Sequence, residues 1–266
     1  MFAAQRLLRS RPLVAAASAA AATAAATAAV NTRPAESASW FSSKPKVELK
    51  YFKIAGVAET IRMVMALGEC EWTETAWPID FSKFPPSGPS PAYVPIAAPK
   101  FAEAREAGEL DVNCGRAPVV IIDGKDALGQ SKTIERYLAR RLGLFGANEI
   151  EAAQIDMITE HARDIKDKYK AAKGDKEKEK ALAEFFDTWM PEFMEKVEKS
   201  LPPASGPGLI GKKLSLADVT LYVLIKEFFD NKAGAAAAID KCPKLKASVA
   251  ATAAHPGVAK YLANRK

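Results

Sequence analysis

The stretch Val47–Leu67, VELKYFKIAGVAETIRMVMAL, changes its hydrophobic period halfway along. From Val47 to Ile54 the residues alternate weakly and include Val, Tyr, Phe and Ile, types that suit a pleated surface, so a strand is expected. From Ala58 to Leu67 the apolar side chains Ile61, Val64, Met65 and Leu67 fall at helical spacing. A strand followed by a helix opens an α/β unit. Further along, Glu71–Ile79 reads as a second strand and Ala117–Ile122 (APVVII) as a third, ending at the turn Asp123-Gly124. A short fourth strand is expected around Ala127 and Leu128, and Ser131 is expected to cap a helix running to about Arg141.

From Glu149 onward the pattern is helical throughout, with breaks at Gly174, at Pro202-Pro203 with Gly206 and Gly208, and at Asn231-Lys232 with Gly234. The spacing predicts helices over Glu149–Lys170, Lys176–Lys199, Ser215–Phe229, Pro243–Ala254 and Pro256–Ala263. The expected organisation is therefore a targeting peptide at 1–45, an α/β domain at 46–142, a linker at 143–148 and an all-α domain at 149–266. Prolines at 85, 86, 89, 91, 95 and 99 exclude a central strand between residues 81 and 114, which reads as an ordered or semi-ordered surface insertion in the first domain with a polar helix-like piece around Lys100 to Gly108.

Composition narrows the function. The net charge is +6, but Arg6, Arg9, Arg11, Arg33 and Lys44 against Glu36 put +4 of it in the first 45 residues, so a basic face for nucleic acid is not supported. Three widely spaced cysteines, Cys70, Cys114 and Cys242, argue against a disulfide framework and against zinc, and fit a reducing compartment. No run of 18 strongly apolar residues occurs, so no membrane span is expected. The first 45 residues combine early arginines, an Ala/Ser/Thr run from Ala15 to Ala29 and no acid before Glu36, the composition of a transit peptide. A mitochondrial matrix address is the first reading and a plastid the alternative, with a low-complexity tail or a weak secretory segment also open.

Several separated motifs carry a resemblance: Lys50-Tyr51-Phe52 with Gly56 to Glu59 and Ile61-Arg62; Gly115-Arg116-Ala117-Pro118-Val119-Val120 with Asp123-Gly124-Lys125; and Leu128-Gly129-Gln130-Ser131 with Arg136-Tyr137-Leu138-Ala139. In the helical half, Asp156-Met157, Thr159-Glu160 and Asp164, then Ser215-Leu216-Ala217-Asp218, Pro243-Lys244-Leu245 and Pro256 to Leu262 follow in order. Together they resemble the glutathione transferases of cytosolic type, closest to the sigma-type branch with a catalytic tyrosine. The resemblance implies a thioredoxin-like N-terminal domain, an all-helical C-terminal domain, a homodimer, and detoxifying conjugation or isomerisation of small electrophiles with glutathione as cosubstrate and no metal.

By that resemblance Tyr51 is the catalytic hydroxyl, which fits a thiol whose ordinary pKa near 8.5 leaves little thiolate at neutral pH. A cis bond before Pro118 is implied, with Ala117 pairing the cysteinyl backbone of glutathione, and Gln130 and Ser131 holding the γ-glutamyl carboxylate at a helix start. Asp164 is implied to reach the partner's glutathione, although Asp156, Glu160, Asp164 and Asp167 also read as a solvated acidic stripe. Ser215 with Asp218 reads as a capping box. Departures from the family pattern are Val57 where an arginine is common, Arg116 where a glutamine is usual, and Arg163 within acids that hold a divalent metal in some relatives. Lys83 is the candidate for the glycyl carboxylate, with Trp77 assigned to the second strand. The rival readings are a non-catalytic glutathione-binding or structural protein, and a thiol-disulfide oxidoreductase, against which the cysteine-free stretch Ile54–Glu59 counts.

Overall fold

A computed structural model describes residues 43–84 and 94–265. The transit-peptide reading, apart from its last three residues, and the proline-dense stretch 85–93 lie outside these described residues. Four strands, β1 (Val47–Phe52), β2 (Trp72–Trp77), β3 (Val119–Ile122) and β4 (Asp126–Gly129), form one sheet in the order β2-β1-β3-β4. β1 runs parallel to β2 and antiparallel to β3, which pairs antiparallel with β4. Helix α1 (Glu59–Leu67) makes the crossover from β1 to β2 that a parallel pair requires.

The period of two in β1 decides what each face carries. Val47, Leu49 and Tyr51 are buried in the main core with Ile61, Val64 and Met65 of α1. Phe52 also borders a second, smaller core of Trp77, Ala98, Phe101, Ala104, Leu110 and Val119. That core corrects the expectation of a surface insertion at 81–114. Two helices of the segment, α2 (Val94–Ala97) and α3 (Pro99–Glu106), belong to the connection from β2 to β3, and Phe101 and Leu110 are buried against the sheet. Apolar residues spaced among prolines and charges hide this role in the sequence, because the helices are short and the partners distant along the chain.

Helix α4 (Ser131–Arg141) closes the sheet-bearing part, and α5 (Glu149–Lys173) opens the helical part with Asn148 accepting from the Glu151 N–H as its cap. Helices α6 (Lys178–Glu184) and α7 (Met190–Ser200) are joined through a π-helical turn at Phe185–Trp189, and a second π turn, Leu224–Phe228, extends α8 (Leu216–Val223). The expected break at Asn231 instead starts a short helix, α9 (Lys232–Ala237), because the Asn231 side chain accepts from the Gly234 N–H. Helices α10 (Pro243–Ala254) and α11 (Pro256–Asn264) complete the chain. Helix α1 packs on α4, α8 and α11, so the sheet and the helical bundle share one continuous core. The capping box is present: Asp218 accepts from Ser215 N–H, Ser215 Oγ, Leu209 N–H and Ser248 Oγ at 2.6–2.9 Å. Among the described residues no helix is long and apolar enough to cross a membrane.

Candidate functional site

Tyr51 sits next to last in β1, paired with Ala76, and is 7% exposed. Its chain then turns through Gly56, whose φ of +46° suits the absence of a side chain. A Cβ on Gly56 would stand 2.5 Å from Tyr51 Oη, so glycine is also required for the hydroxyl to fit. The turn delivers the Val57 N–H to Tyr51 Oη at 3.2 Å. The expected loss of a cation at Val57 is thus met by a backbone donor, with the Val57 side chain 54% exposed. The Arg62 guanidinium lies 5.9 Å from the Tyr51 ring centre. Burial pushes the Tyr51 pKa above its ordinary value, while the Val57 amide and the Arg62 charge pull the other way, and the hydroxyl stays protonated at neutral pH.

The second cluster forms around Asn113, a residue that belongs to none of the sequence motifs. The Ala117–Pro118 bond is cis, as the resemblance implied. Asn113 Nδ2 donates to the carbonyls of Arg116 at 3.0 Å and Pro118 at 2.9 Å, and Asn113 Oδ1 accepts from the Gln130 N–H at 3.1 Å. One buried amide therefore ties the proline turn to the start of α4. Gly129 makes room for it, since a Cβ there would lie 2.5 Å from Asn113 Cβ. Gln130 has φ +65°, a left-handed value that is costly for a residue with a side chain. The short asparagine amide offers two donors and an acceptor, and an Asn two residues before Gly115 is the one signal of it in the sequence.

The cap expected of Ser131 is not made. Gln130 occupies the cap position without a side-chain bond, and Ser131 is the first residue of α4. Its hydroxyl makes no hydrogen bond among the described residues, so it stands beside the free first amides of the helix. An anion at that end would meet both.

The remaining candidates lie apart. Arg116 is exposed. Lys83 ends the one-turn segment Phe81–Lys83, and its side chain makes no hydrogen bond or ion pair among the described residues. Asp164 is exposed on α5 and has no ion pair among the described residues. The acidic stripe around it is largely engaged: Arg136 of α4 holds Asp156 and Glu160, Arg163 also pairs with Glu160, and Asp167 pairs with Lys170. No group of three or more metal-ligating side chains is found among the described residues.

A family model described as glutathione S-transferase, C-terminal domain, matches residues 163–265. The chain is 28% identical to glutathione S-transferase P 1 of Xenopus laevis over 82% of its own length and 92% of the relative's. It is 31% identical to glutathione S-transferase alpha-5 of Rattus norvegicus, over 82% of this chain and 88% of that one. Among solved structures, the Pi-class glutathione S-transferase of Onchocerca volvulus superimposes with a TM-score of 0.63 at 25% identity, covering 82% of this chain and 93% of the other.

Proposed function

The chain belongs to the glutathione S-transferase family, and we propose that it joins glutathione to small electrophiles, or isomerises them, with Tyr51 as the hydroxyl that stabilises the thiolate. The observation that carries this reading is the Val57 N–H donating to Tyr51 Oη. With its oxygen already accepting from the loop, the hydroxyl has its proton to give. A sulfur that receives that hydrogen bond loses its proton to solvent more easily, and the thiolate then forms the S–C bond while the electrophile's leaving group departs or its double bond takes up the electron pair. Because burial keeps Tyr51 protonated, it acts as a donor and not as a base.

On this reading glutathione lies with its cysteinyl backbone along Ala117, its γ-glutamyl carboxylate on Gln130, Ser131 and the first amides of α4, and its glycyl end toward Arg116 and Lys83. Asp164 acts across a homodimer on the partner's ligand. Placement in the sigma-type branch rests on the motif from Lys50 to Glu59. The division at 46–142 and 149–266 follows the same motifs, and we assign detoxification in an organelle, the mitochondrial matrix before the plastid, on the composition of residues 1–45.

Tyr51→Phe tests the reading, because it keeps the ring and removes the donor. Glutathione should bind nearly as before, the bound thiol should titrate at higher pH by its ultraviolet thiolate absorbance, and turnover should fall by about tenfold or more. A parent enzyme without thiolate near neutral pH, and without turnover that the substitution reduces, leaves a glutathione-binding scaffold instead.

A further inference from the structure

The last helix of the chain is tied to the loop that serves Tyr51. Tyr261 Oη donates to both carboxylate oxygens of Glu59 at 3.0 Å, and Arg265 donates to Glu59 Oε1 at 2.8 Å and to Glu227 at 2.9 Å. Glu59 is 2% exposed, so these partners balance a buried charge. Its other oxygen meets Arg62 Nη1 at 3.4 Å. The same Nη1 donates to the carbonyls of Ile54 at 3.0 Å and Ala55 at 3.2 Å, while Nε and Nη2 are fixed on Glu74. Ile54 and Ala55 lead directly into Gly56 and Val57, whose N–H reaches Tyr51.

We propose that Tyr261 and Arg265 are positioning residues for Tyr51, acting through Glu59 and Arg62 to hold the 54–57 loop. The mechanism is competition for one Nη1. While Tyr261 and Arg265 occupy Glu59, its contact with Arg62 stays long and Nη1 serves the two loop carbonyls. Without them a buried carboxylate draws Nη1 to itself, the carbonyls are released, and the Val57 N–H leaves the Tyr51 oxygen. The charged and titratable groups facing this clamp are Glu59 and Arg62 of α1, Glu74 of β2, Tyr222 of α8, Glu227 of the π turn, and Tyr261 and Arg265. Glu59, Arg62, Glu74, Glu227, Tyr261 and Arg265 line part of a groove of about 1530 Å³ between β2, α1 and α11, beside further charged side chains such as Lys53, Glu69 and Lys260.

This inference rests on Tyr51 being the thiolate donor. Its test compares the pH profile of kcat/KM in the full chain with those of Tyr261→Phe, Arg265→Gln, Arg265→Lys and Tyr51→Phe, with melting recorded for each. Tyr261→Phe keeps the ring packed 5.9 Å from Trp72, so the variant should still fold. Both Tyr261→Phe and Arg265→Gln should move the acid limb toward higher pH and cut the rate at about pH 6.5 by roughly three- to tenfold, with KM for glutathione within about twofold. Arg265→Lys, which keeps a cation for Glu59, should recover part of the loss. A purely structural role changes the melting point and leaves the profile where it was. Parental profiles in the Tyr261 and Arg265 variants beside a shifted Tyr51→Phe profile overturn the clamp alone, whereas a parental Tyr51→Phe profile overturns the thiolate reading and the clamp with it.

Discussion

Replacing Asn113 by alanine removes three hydrogen bonds at once, to the carbonyls of Arg116 and Pro118 and from the Gln130 N–H. The side chain is 4% exposed, so water does not readily replace it. At about 1 kcal/mol for each bond the loss is about 3 kcal/mol. For a chain of this size that corresponds to a fall in melting temperature of roughly 6–12 °C. The functional loss comes from Gln130. Its φ of +65° is held against a strain of order 1–3 kcal/mol, and release lets the start of α4 turn away from the cis-proline loop. Glutathione affinity should fall by about tenfold or more, an energy of roughly 1.4 kcal/mol. Asn113→Asp separates the two effects: it keeps the acceptor for the Gln130 N–H but sets a carboxylate against two carbonyls, so it should destabilise like alanine while losing less affinity. Thermal melting by circular dichroism and titration calorimetry with glutathione provide the readings. An alanine variant that melts within about 1 °C of the parent and binds glutathione equally well refutes the bridge.

Other substitutions probe separate parts of the argument. Gly56→Ala drives a Cβ to 2.5 Å from Tyr51 Oη, and steady-state kinetics should show turnover down about tenfold or more with glutathione affinity near the parental value. Asp164→Ala should weaken glutathione binding by about 1 to 3 kcal/mol if it serves a neighbour's site, and light scattering should find a dimer; a monomer with unchanged affinity removes the cross-subunit role. Lys166, packed 4.8 Å over the Phe228 ring, has its pKa pushed down from 10.5 to about 8 by burial, with Lys132 adding to the effect. Between those two values the folded chain binds fewer protons than the unfolded one, so stability should rise with pH from about 8 to 10.5 and be lost as pH falls through 8. Urea unfolding should show Lys166→Met flattening that rise and gaining about 1–3 kcal/mol at pH 7, since it removes the cost of burying the charge.

Residues whose role depends on neighbours in the chain are legible in the amino-acid order alone. The change of period within Val47–Leu67 marks β1 and α1, the APVVII run ahead of Asp123-Gly124 marks β3, and Ser215 with Asp218 marks a helix start. Tyr51, Pro118, Gln130 and Ser131 stand out because they lie inside ordered motifs, and the fold brings the proline turn and Gln130 together through Asn113. Two local expectations give way: the Ser131 cap, because Gln130 takes the cap position with a left-handed backbone, and the surface insertion, because Phe101 and Leu110 find the second face of the sheet.

By itself the sequence determined the four strands and the longer helices in their order, since periodicity and turn chemistry act over a few residues. It also determined which residues present family-like chemistry. Only the tertiary structure decided what holds that chemistry in place. Asn113 reaches across the turn to Gln130, and Arg265 reaches Glu59 from 206 positions away. Such contacts leave no spacing in the sequence, because a buried amide or ion pair is set by which surfaces the fold presses together and by the need to satisfy every polar group trapped between them.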